Sequence, residues 1–212
     1  MSVPVVLPLR CAGCGGRLHG LPEDVVFWCE ECHALQEVVG TAFVPRRGAI
    51  ARPLVRAPGL LRHLPVWALP VKAVWRMADP VRASLLRRVT APERVYVTAF
   101  ALHNAFYFGD PGLVLTERRL ALEAAEAAPL LGCACDLEEA KGYVEPHLLS
   151  ILDRREDVTD LELSCDIGEG VLWGIPYYDD GLTLTDGIVG LKIPAAALDE
   201  IWALRAWHEA RG

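Results

Sequence analysis

The sequence lacks a long uninterrupted apolar run. A membrane-spanning helix needs about 20 mostly apolar residues, and the two most apolar stretches fall short of this. Residues 64–75 contain two prolines and a lysine, and residues 95–108 form a shorter stretch that includes His103 and Asn104. The sequence therefore predicts a soluble protein with no transmembrane segment. Trp67 and Trp75 lie among basic residues, but large aromatic side chains more often belong to a core than to a membrane interface, so peripheral membrane contact is not expected.

An export signal is also missing. No basic segment precedes the first apolar residues, and no small-residue cleavage site follows them. Seven cysteines in a chain without such a signal indicate a reducing compartment, where paired cysteines more often bind metal or act in redox chemistry than form disulfides. The sequence therefore predicts a cytoplasmic protein.

Familiar catalytic motifs are absent as well. The chain has no phosphate-binding G-x-x-x-x-G-K-[ST], no G-x-S-x-G and no H-E-x-x-H. Asp179 and Asp180 precede Gly181, which is typical of turn chemistry rather than of an acid-base pair. His103 lies in an apolar stretch and is expected to be a core residue rather than a base. No catalytic residue is predicted, and the protein is more in keeping with a non-enzymatic function than with an enzyme.

The composition is that of a folded chain. Hydrophobic residues make up 52% of the 212 residues and charged residues 23%, which excludes extensive disorder. The net charge of −7 conceals an asymmetry, because residues 1–100 carry +6 and residues 101–212 carry −13. Eleven basic residues between positions 46 and 94 face only Asp79 and Glu93. This basic segment either meets an anionic partner such as nucleic acid or packs against the acidic second half of its own chain.

Two Cys-x-x-Cys pairs are the most specific feature. Cys29 and Cys32 precede His33, a C-x-x-C-H string that could attach a c-type haem, or they could form half of a zinc site. Haem attachment would require export and would leave the upstream pair, Cys11 and Cys14, without a role. A redox pair is disfavoured because no strand-helix unit surrounds the motif.

The zinc interpretation accounts for both pairs. Four thiolates suit tetrahedral zinc, and glycines around the first pair suit the tight turns that such a site requires. Residues 17–19, 20–24 and 25–28 are expected to form a strand, a turn and a returning strand that brings the pairs together. His19 and His33 are expected at the surface or beside the thiolates.

In the residues Cys11-Ala-Gly-Cys14-Gly15 and Phe27-Trp28-Cys29-Glu-Glu-Cys32, the segment resembles the zinc ribbon family. The resemblance covers roughly residues 9–44 and no other part of the chain. It implies one structural zinc ion held by Cys11, Cys14, Cys29 and Cys32. It assigns no function, because zinc ribbons occur in nucleic-acid-binding proteins, in enzymes and in protein-protein adaptors. Cys133, Cys135 and Cys165 are expected to be ordinary packed residues.

The remaining sequence predicts an α+β domain with a C-terminal helix. A module boundary is placed near Pro45, which divides the chain into a zinc ribbon at 1–45 and an α+β domain at 46–212, with a linker-like start at 46–60. Residues 60–77 are expected to form an edge strand or an extended segment, because they contain prolines. Helices are predicted over 115–131, over 136–154 with a capping box at Asp136, and after Pro194. Short strands are predicted between 161 and 193. Residues 112–117 and 181–186 are similar, which could be the trace of a duplicated unit.

The sequence is compatible with three classes of function. The first is a non-enzymatic adaptor or regulatory protein that binds another protein. The second is a nucleic-acid-binding protein that uses the basic segment 46–94, and the third is an enzyme with a site that carries no familiar motif. The closed thiolate site, the negative net charge and the missing catalytic motifs favour the adaptor.

Overall fold

A computed structural model describes residues 8–86, 90–103, 109–154 and 157–210. These ranges contain both strands and helices, so the chain is of mixed α and β class. Helices α1 to α5 span Pro80–Leu86, Pro111–Glu117, Leu137–Gly142, Val144–Asp153 and Ile201–Glu209, and a short 3₁₀ helix at Ala195–Ala197 precedes α5. None of the described helices is both long enough and apolar enough to span a membrane.

The first sheet is an antiparallel meander of four strands in chain order. Strands β1 to β4 span Leu18–His19, Val26–Cys29, Leu35–Val39 and Ala42–Arg46. The predicted hairpin is confirmed by the pairing of β1 with β2, in which Leu18 lies opposite Cys29. This sheet therefore carries the second cysteine pair at the end of β2 and places the first pair just before β1.

The second sheet contains seven strands. Strand β5 spans Gly48–Ile50, and β6 to β11 span Leu60–Met77, Arg94–Thr98, Leu161–Ile167, Val171–Asp179, Thr183–Asp186 and Lys192–Pro194. The main order is β11-β10-β9-β6-β7, with β5 beside β9 and β8 beside β6. The short strands predicted between residues 161 and 193 are confirmed.

The expected linker at 46–60 is partly ordered as a strand. Residues Gly48–Ile50 pair in parallel with residues 172–174 of β9, so β5 joins the second sheet directly after β4 leaves the first. A Cβ atom at Gly48 would lie 2.2 Å from Leu35 Cδ1 and 3.2 Å from the Leu172 carbonyl oxygen. A side chain at position 48 would therefore have to displace Leu35, so glycine suits the point where the chain passes from the first sheet to the second.

Strand β6 is central, and the prediction of an edge strand was wrong. It pairs with β9 and β8 along one side and with β7 along the other. Its prolines lose a donor but keep their acceptors: the Pro65 carbonyl accepts a hydrogen bond from Ala99 N at 3.1 Å, and the Pro70 carbonyl accepts one from Gly168 N at 2.8 Å. Gly168 lies in the gap between β8 and β9, so Pro70 falls where the partner strand is interrupted.

The predicted helix at 115–131 is also wrong for most of its length. Helix α2 begins earlier, at Pro111 with Asp110 as N-cap, and ends at Glu117. The chain then runs beside the segment around β5, where Arg52 N donates to the Glu123 carbonyl at 2.8 Å and Ala125 N donates to the Ile50 carbonyl at 2.7 Å. Tertiary hydrogen bonds override the high helix propensity of this alanine-rich and glutamate-rich stretch.

The other predicted helices are closer to the structure. Glu139 N donates to Asp136 Oδ1 at 2.8 Å and Asp136 N donates to Glu139 Oε2 at 3.2 Å, which confirms the capping box. The helical segment divides at Tyr143, shortly before Pro146, into α3 and α4. The C-terminal helix exists but begins at Ile201 rather than directly after Pro194.

The suggested internal repeat is not a structural repeat. Residues 112–117 lie in helix α2, whereas residues 181–186 form a turn and strand β10. The aromatic residues 105–108 that precede the first copy in the sequence lie outside the described residues. Similar hexapeptides have therefore taken different backbone conformations in different tertiary surroundings.

One hydrophobic core extends across the proposed boundary at Pro45. Leu21, Val26, Trp28 and Leu35 of the first sheet pack in the same buried cluster as residues of β6, β7, β9 and the C-terminal helix. Trp67 is fully buried in this cluster, as expected, and its indole Nε1 donates to the Cys135 carbonyl at 2.9 Å. The division into 1–45 and 46–212 stays a prediction, and the contacts across it are extensive.

Asp24 is a buried carboxylate at the junction of the two sheets. Its Oδ2 accepts hydrogen bonds from Leu21 N at 2.7 Å and from Gly132 N at 3.0 Å, while its Oδ1 is buried without a partner. Burial raises the pKa of Asp24 to about 7, although the two backbone N–H groups act in the opposite direction. Because this pKa is higher in the folded chain than in the unfolded chain, stability falls as pH rises from about 4 to about 7.

We expect Asp24→Asn to remove this loss of stability. Asparagine can keep one oxygen as the acceptor for both backbone N–H groups, and it carries no charge to bury. Between pH 5 and pH 8, the wild-type chain should lose about 1–3 kcal/mol more unfolding free energy than the variant. Urea unfolding at both pH values measures the difference. An identical pH dependence in the two proteins would show that Asp24 titrates normally in the folded chain.

Candidate metal centre

The four predicted cysteine ligands lie together at one end of the first sheet. Their Sγ atoms are all within 4.8 Å of one another. Cys11 Sγ lies 3.7 Å from Cys32 Sγ, and Cys14 Sγ lies 3.5 Å from Cys29 Sγ. A tetrahedral site with zinc–sulfur bonds of about 2.3 Å has sulfur–sulfur edges of about 3.8 Å. The four side chains are therefore close enough to bind one metal ion.

Both cysteine pairs adopt the same backbone turn. In the first, Cys11 N donates to the Gly16 carbonyl and Gly15 N donates to the Cys11 carbonyl; in the second, Cys29 N donates to the Ala34 carbonyl and His33 N donates to the Cys29 carbonyl. Gly15 and His33 occupy equivalent positions, with φ of 77° and 61°. The conformation of His33 is therefore explained by its place in the turn, which needs a positive φ at the residue after the second cysteine.

The surroundings of His33 show whether it lies among the potential ligands, as the C-x-x-C-H interpretation requires. The group of potential ligands found in the described residues contains the four cysteines and does not include His33. The imidazole instead meets the ring of Trp28 edge-on, with centroids 5.6 Å apart. His33 is exposed, in line with the surface position predicted for it.

The site is buried on its inner side and open on its outer side. Cys11 and Cys29 are buried, whereas Cys14 and Cys32 are exposed. Leu18, Phe27 and Phe43 pack around the buried pair in a small apolar cluster of their own. Gln36 Nε2 lies 3.6 Å from Cys11 Sγ and can donate a hydrogen bond to a thiolate there. Such outer contacts fix the orientation of metal ligands.

The thiols affect one another's protonation. Burial raises the pKa of Cys11, but hydrogen bonds from the backbone of Cys14 and Gly13 and from the Cys32 thiol outweigh it and lower this pKa to about 7. The backbone of Gly16 lowers the pKa of Cys14, whereas hydrogen bonds with the thiols of Cys32 and Cys29 raise it, and the pKa rises to about 12. A metal ion that binds all four as thiolates must therefore displace protons.

The remaining cysteines lie apart from this site, and all seven cysteines are free. Cys133 is buried, and its thiol donates to the Cys135 carbonyl at 3.5 Å. Burial raises the pKa of Cys135 to about 12 and that of Cys133 well above its ordinary value. Burial also raises the pKa of Cys165. Their thiols stay protonated at neutral pH and are poor nucleophiles, in line with ordinary packing.

The metal centre is connected to the C-terminal helix by aromatic contacts. Trp28, which precedes Cys29, lies with its ring centroid 6.3 Å from that of Trp207 in α5. The His19 ring lies near both, at 6.2 Å from Trp28 and 6.1 Å from Trp207. His19 is buried, and its Nε2 lies 2.7 Å from Glu30 Oε2. It is therefore a packed residue between sheet and helix and not a surface group.

Two further sequence predictions have different outcomes. Asp180 Oδ1 accepts hydrogen bonds from Leu182 N and Thr183 N, which confirms turn chemistry at that position. His103 was expected in the core, but it is exposed and forms an ion pair with Asp199. The prediction failed because the chain leaves β7 at Thr98, so His103 lies in the connection beyond the strand.

Asp179 is a buried ionic centre that the sequence did not reveal. Its carboxylate accepts hydrogen bonds from Arg62 Nε at 2.8 Å and from two nitrogens of Arg205, at 2.9 and 2.6 Å. Although burial raises the pKa of Asp179, the hydrogen bonds from Arg205 and Arg62 hold it well below its usual range. Asp179 therefore remains ionised and joins β9, β6 and α5. No local pattern marks this role because both partners are distant in sequence.

The equivalent turns allow a paired prediction about the metal centre. His33→Gly should keep the full metal content, because the imidazole is not a ligand and glycine adopts a positive φ without strain. Gly15→Ala should lower the free energy of unfolding by about 1 kcal/mol, because it forces a side chain into the same backbone conformation. Metal analysis and urea unfolding test both variants. Loss of metal in His33→Gly would contradict coordination by thiolates alone.

Comparison with known proteins adds no assignment. The chain matches no protein-family model, no curated protein sequence and no solved structure. A functional interpretation therefore depends on the cysteine geometry and on the fold.

Proposed function

We propose that Cys11, Cys14, Cys29 and Cys32 bind one structural zinc ion in a zinc ribbon, and that the protein is a non-enzymatic adaptor or regulatory protein that binds another protein. The observation that carries the metal proposal is the set of four Sγ atoms within 4.8 Å of one another. Four thiolates fill a tetrahedral shell and leave no position for a reactive water, so zinc here supports the fold. The seven free cysteines fit the cytoplasmic location that the sequence predicts.

Zinc would stabilise more than the ribbon itself. Val25 N donates to the Cys133 carbonyl at 2.7 Å, and Glu23 N donates to Glu200 Oε1 at 3.3 Å. With the aromatic contact between Trp28 and Trp207, these bonds connect the first sheet to the rest of the chain. Loss of the metal should therefore weaken the shared core as well as the two cysteine turns.

An exposed apolar surface supports the adaptor proposal. Leu60, Leu182 and Trp202 are 66%, 83% and 76% exposed. The Arg205 guanidinium lies over the ring of Trp202 and donates hydrogen bonds to Asp179 and to the carbonyl of Gly181. Leu60 lies opposite Asp179 in the sheet, and Leu182 follows Gly181. We call Leu60, Leu182 and Trp202 the corner patch. Exposed aromatic and aliphatic side chains around an arginine are typical of protein contact sites.

The nucleic-acid alternative is weakened by the pairing of the basic segment. Within the described part of the chain, five of its eleven basic residues form salt bridges with acidic residues. The pairs are Arg46–Glu37, Arg47–Glu169, Arg52–Glu123, Arg62–Asp179 and Arg82–Asp157. Most of these acidic partners belong to the second half of the chain. Salt bridges within the chain therefore account for much of the difference in charge between residues 1–100 and residues 101–212. Arg87 and Arg88, two adjacent basic residues of this segment, lie outside the described residues.

We expect purified protein to contain one zinc ion per chain. Cys11→Ser combined with Cys29→Ser should abolish the metal, because it removes one ligand from each turn. Cys133→Ser is the matched control, since it changes a buried cysteine outside the site and should leave the metal content unchanged. Elemental analysis measures all three proteins. Full metal content in the double variant, or covalent haem absorbance in the wild type, would contradict the proposal.

Zinc removal should also lower the stability of the whole chain. A chelator should shift the melting temperature of the full chain downward in a single transition, because the two sheets share one core. A chain that begins at Arg46 tests the predicted boundary. If it unfolds cooperatively and is as stable as the full chain, the α+β domain folds independently of the ribbon and our account of the shared core is wrong.

The adaptor proposal is tested by affinity capture from the native cell lysate, with and without nuclease. We expect a protein partner that survives nuclease and is lost when Trp202→Ala is combined with Leu182→Asp. Val81→Ala is the matched control, because Val81 is 69% exposed and lies on α1. Nucleic acid that is recovered and then lost with Arg87→Glu and Arg88→Glu would favour the nucleic-acid alternative, in which each neutralised phosphate of duplex DNA contributes about −0.9 to the salt slope.

A further inference from the structure

A cleft lies between the segment that follows β7 and the helices α3 and α4. Its volume is about 690 Å³, and Phe100, Leu102, Ala134 and Pro146 contribute to a mostly apolar lining. Clefts of roughly 300–1,000 Å³ with an apolar lining and a few polar groups are typical of small-molecule sites. The metal centre contributes none of the lining residues, so the cleft is a separate feature of the fold.

Hydrogen bonds hold the walls of the cleft in place. Ala134 N and Cys135 N both donate to the Ala99 carbonyl, at 2.8 and 3.1 Å, and join the two sides at the back. Asp110 Oδ1 accepts hydrogen bonds from the Thr98 hydroxyl and from Gly112 N, each at 2.7 Å. A cleft with walls fixed in this way is formed before a ligand binds, which lowers the entropic cost of binding.

The charged groups of the lining are negative. Asp110 and Glu139 supply carboxylates, and the described lining includes no lysine or arginine. Burial raises the pKa of Asp110, but its contact with His147 and the hydrogen bond from Thr98 lower it below the usual range. His147 Nε2 lies 3.1 Å from Asp110 Oδ2, so this carboxylate is already paired within the chain. Glu139 uses Oε2 to accept from Asp136 N, which leaves its second oxygen for another donor.

The other polar side chains of the lining are those of Thr98, Cys135 and Tyr143. Tyr143 is exposed at the junction of α3 and α4, where the face of its ring can meet a positive charge. The thiol of Cys135 remains neutral, because burial raises its pKa to about 12. The lining therefore offers carboxylates and an aromatic ring, and it offers no activated nucleophile.

We propose that this cleft binds a small primary amine with an apolar arylalkyl body, the ammonium group toward Glu139 and Tyr143 and the body against the apolar wall. The Glu139 carboxylate selects the cation, and the apolar area supplies the affinity. The proposal is independent of the zinc ion and of the corner patch, so it can fail or hold without them.

Phenethylamine, 2-phenylethanol and phenylacetate are suitable probes because they share one body and differ in charge. We expect the amine to bind about tenfold more tightly than the alcohol, and the anion to bind least. Isothermal titration calorimetry or ligand-observed NMR on the full chain as purified measures the three affinities. Equal affinity for the amine and the alcohol, or no amine binding at about 10 mM, would overturn the proposal.

Three variants test whether the amine binds in the cleft. Glu139→Gln should weaken amine binding about threefold to fivefold and leave alcohol binding unchanged, since glutamine keeps the capping acceptor. Glu138→Gln, which changes the neighbouring carboxylate outside the lining, is the matched control and should change neither. Gly142→Leu should block both ligands, because Gly142 lines the cleft and a Cβ atom there meets nothing within 4 Å. Unchanged amine binding in folded Gly142→Leu, or equal effects of the two glutamate variants, would show that the amine binds elsewhere.

Discussion

Four sulfur atoms in a small volume are the constraint on which the start of the chain depends. With Sγ atoms as close as 3.5 Å, the four groups cannot all be thiolates unless a cation lies among them, because like charges at this distance repel strongly away from bulk water. A divalent ion bound among the four sulfur atoms attracts each thiolate, and its binding releases the thiol protons. The equivalent turns and the β1–β2 hairpin bring the sulfur atoms together. Trp28, which precedes Cys29, connects this region to α5 through its contact with Trp207.

The sequence revealed the features that depend on local chemistry. The two Cys-x-x-Cys pairs could be predicted to lie together, because a short hairpin is enough to bring them together. The capping box at Asp136 could be predicted because it depends on residues three positions apart. Features with distant partners were missed. Proline content made β6 look like an edge strand, but Pro70 falls at the gap between two partner strands. Residues 120–131 have high helix propensity, yet Glu123 and Ala125 form backbone hydrogen bonds with Arg52 and Ile50 in the segment around β5. Asp179 could not be recognised because Arg62 and Arg205 come from other elements.

Charge is used mainly inside the molecule. The basic segment and the acidic second half are joined by salt bridges, and two of these, Arg47–Glu169 and Arg52–Glu123, are exposed pairs that contribute little to stability individually. Asp179 differs, because its partners Arg62 and Arg205 largely shield it from solvent and removing either would leave a poorly compensated buried charge. Within the described residues, the two surfaces that we propose for other molecules are the apolar corner patch, for a protein, and the cleft beside Glu139, for a small cation.

X-ray absorption at the zinc edge of the purified protein tests the central claim most directly, because it reports the identity, number and distance of the atoms around the metal. Our account predicts four sulfur neighbours at about 2.3 Å and no nitrogen or oxygen neighbour in the same shell. A shell that contains an imidazole nitrogen or a water oxygen, or a protein that contains no zinc, would contradict it.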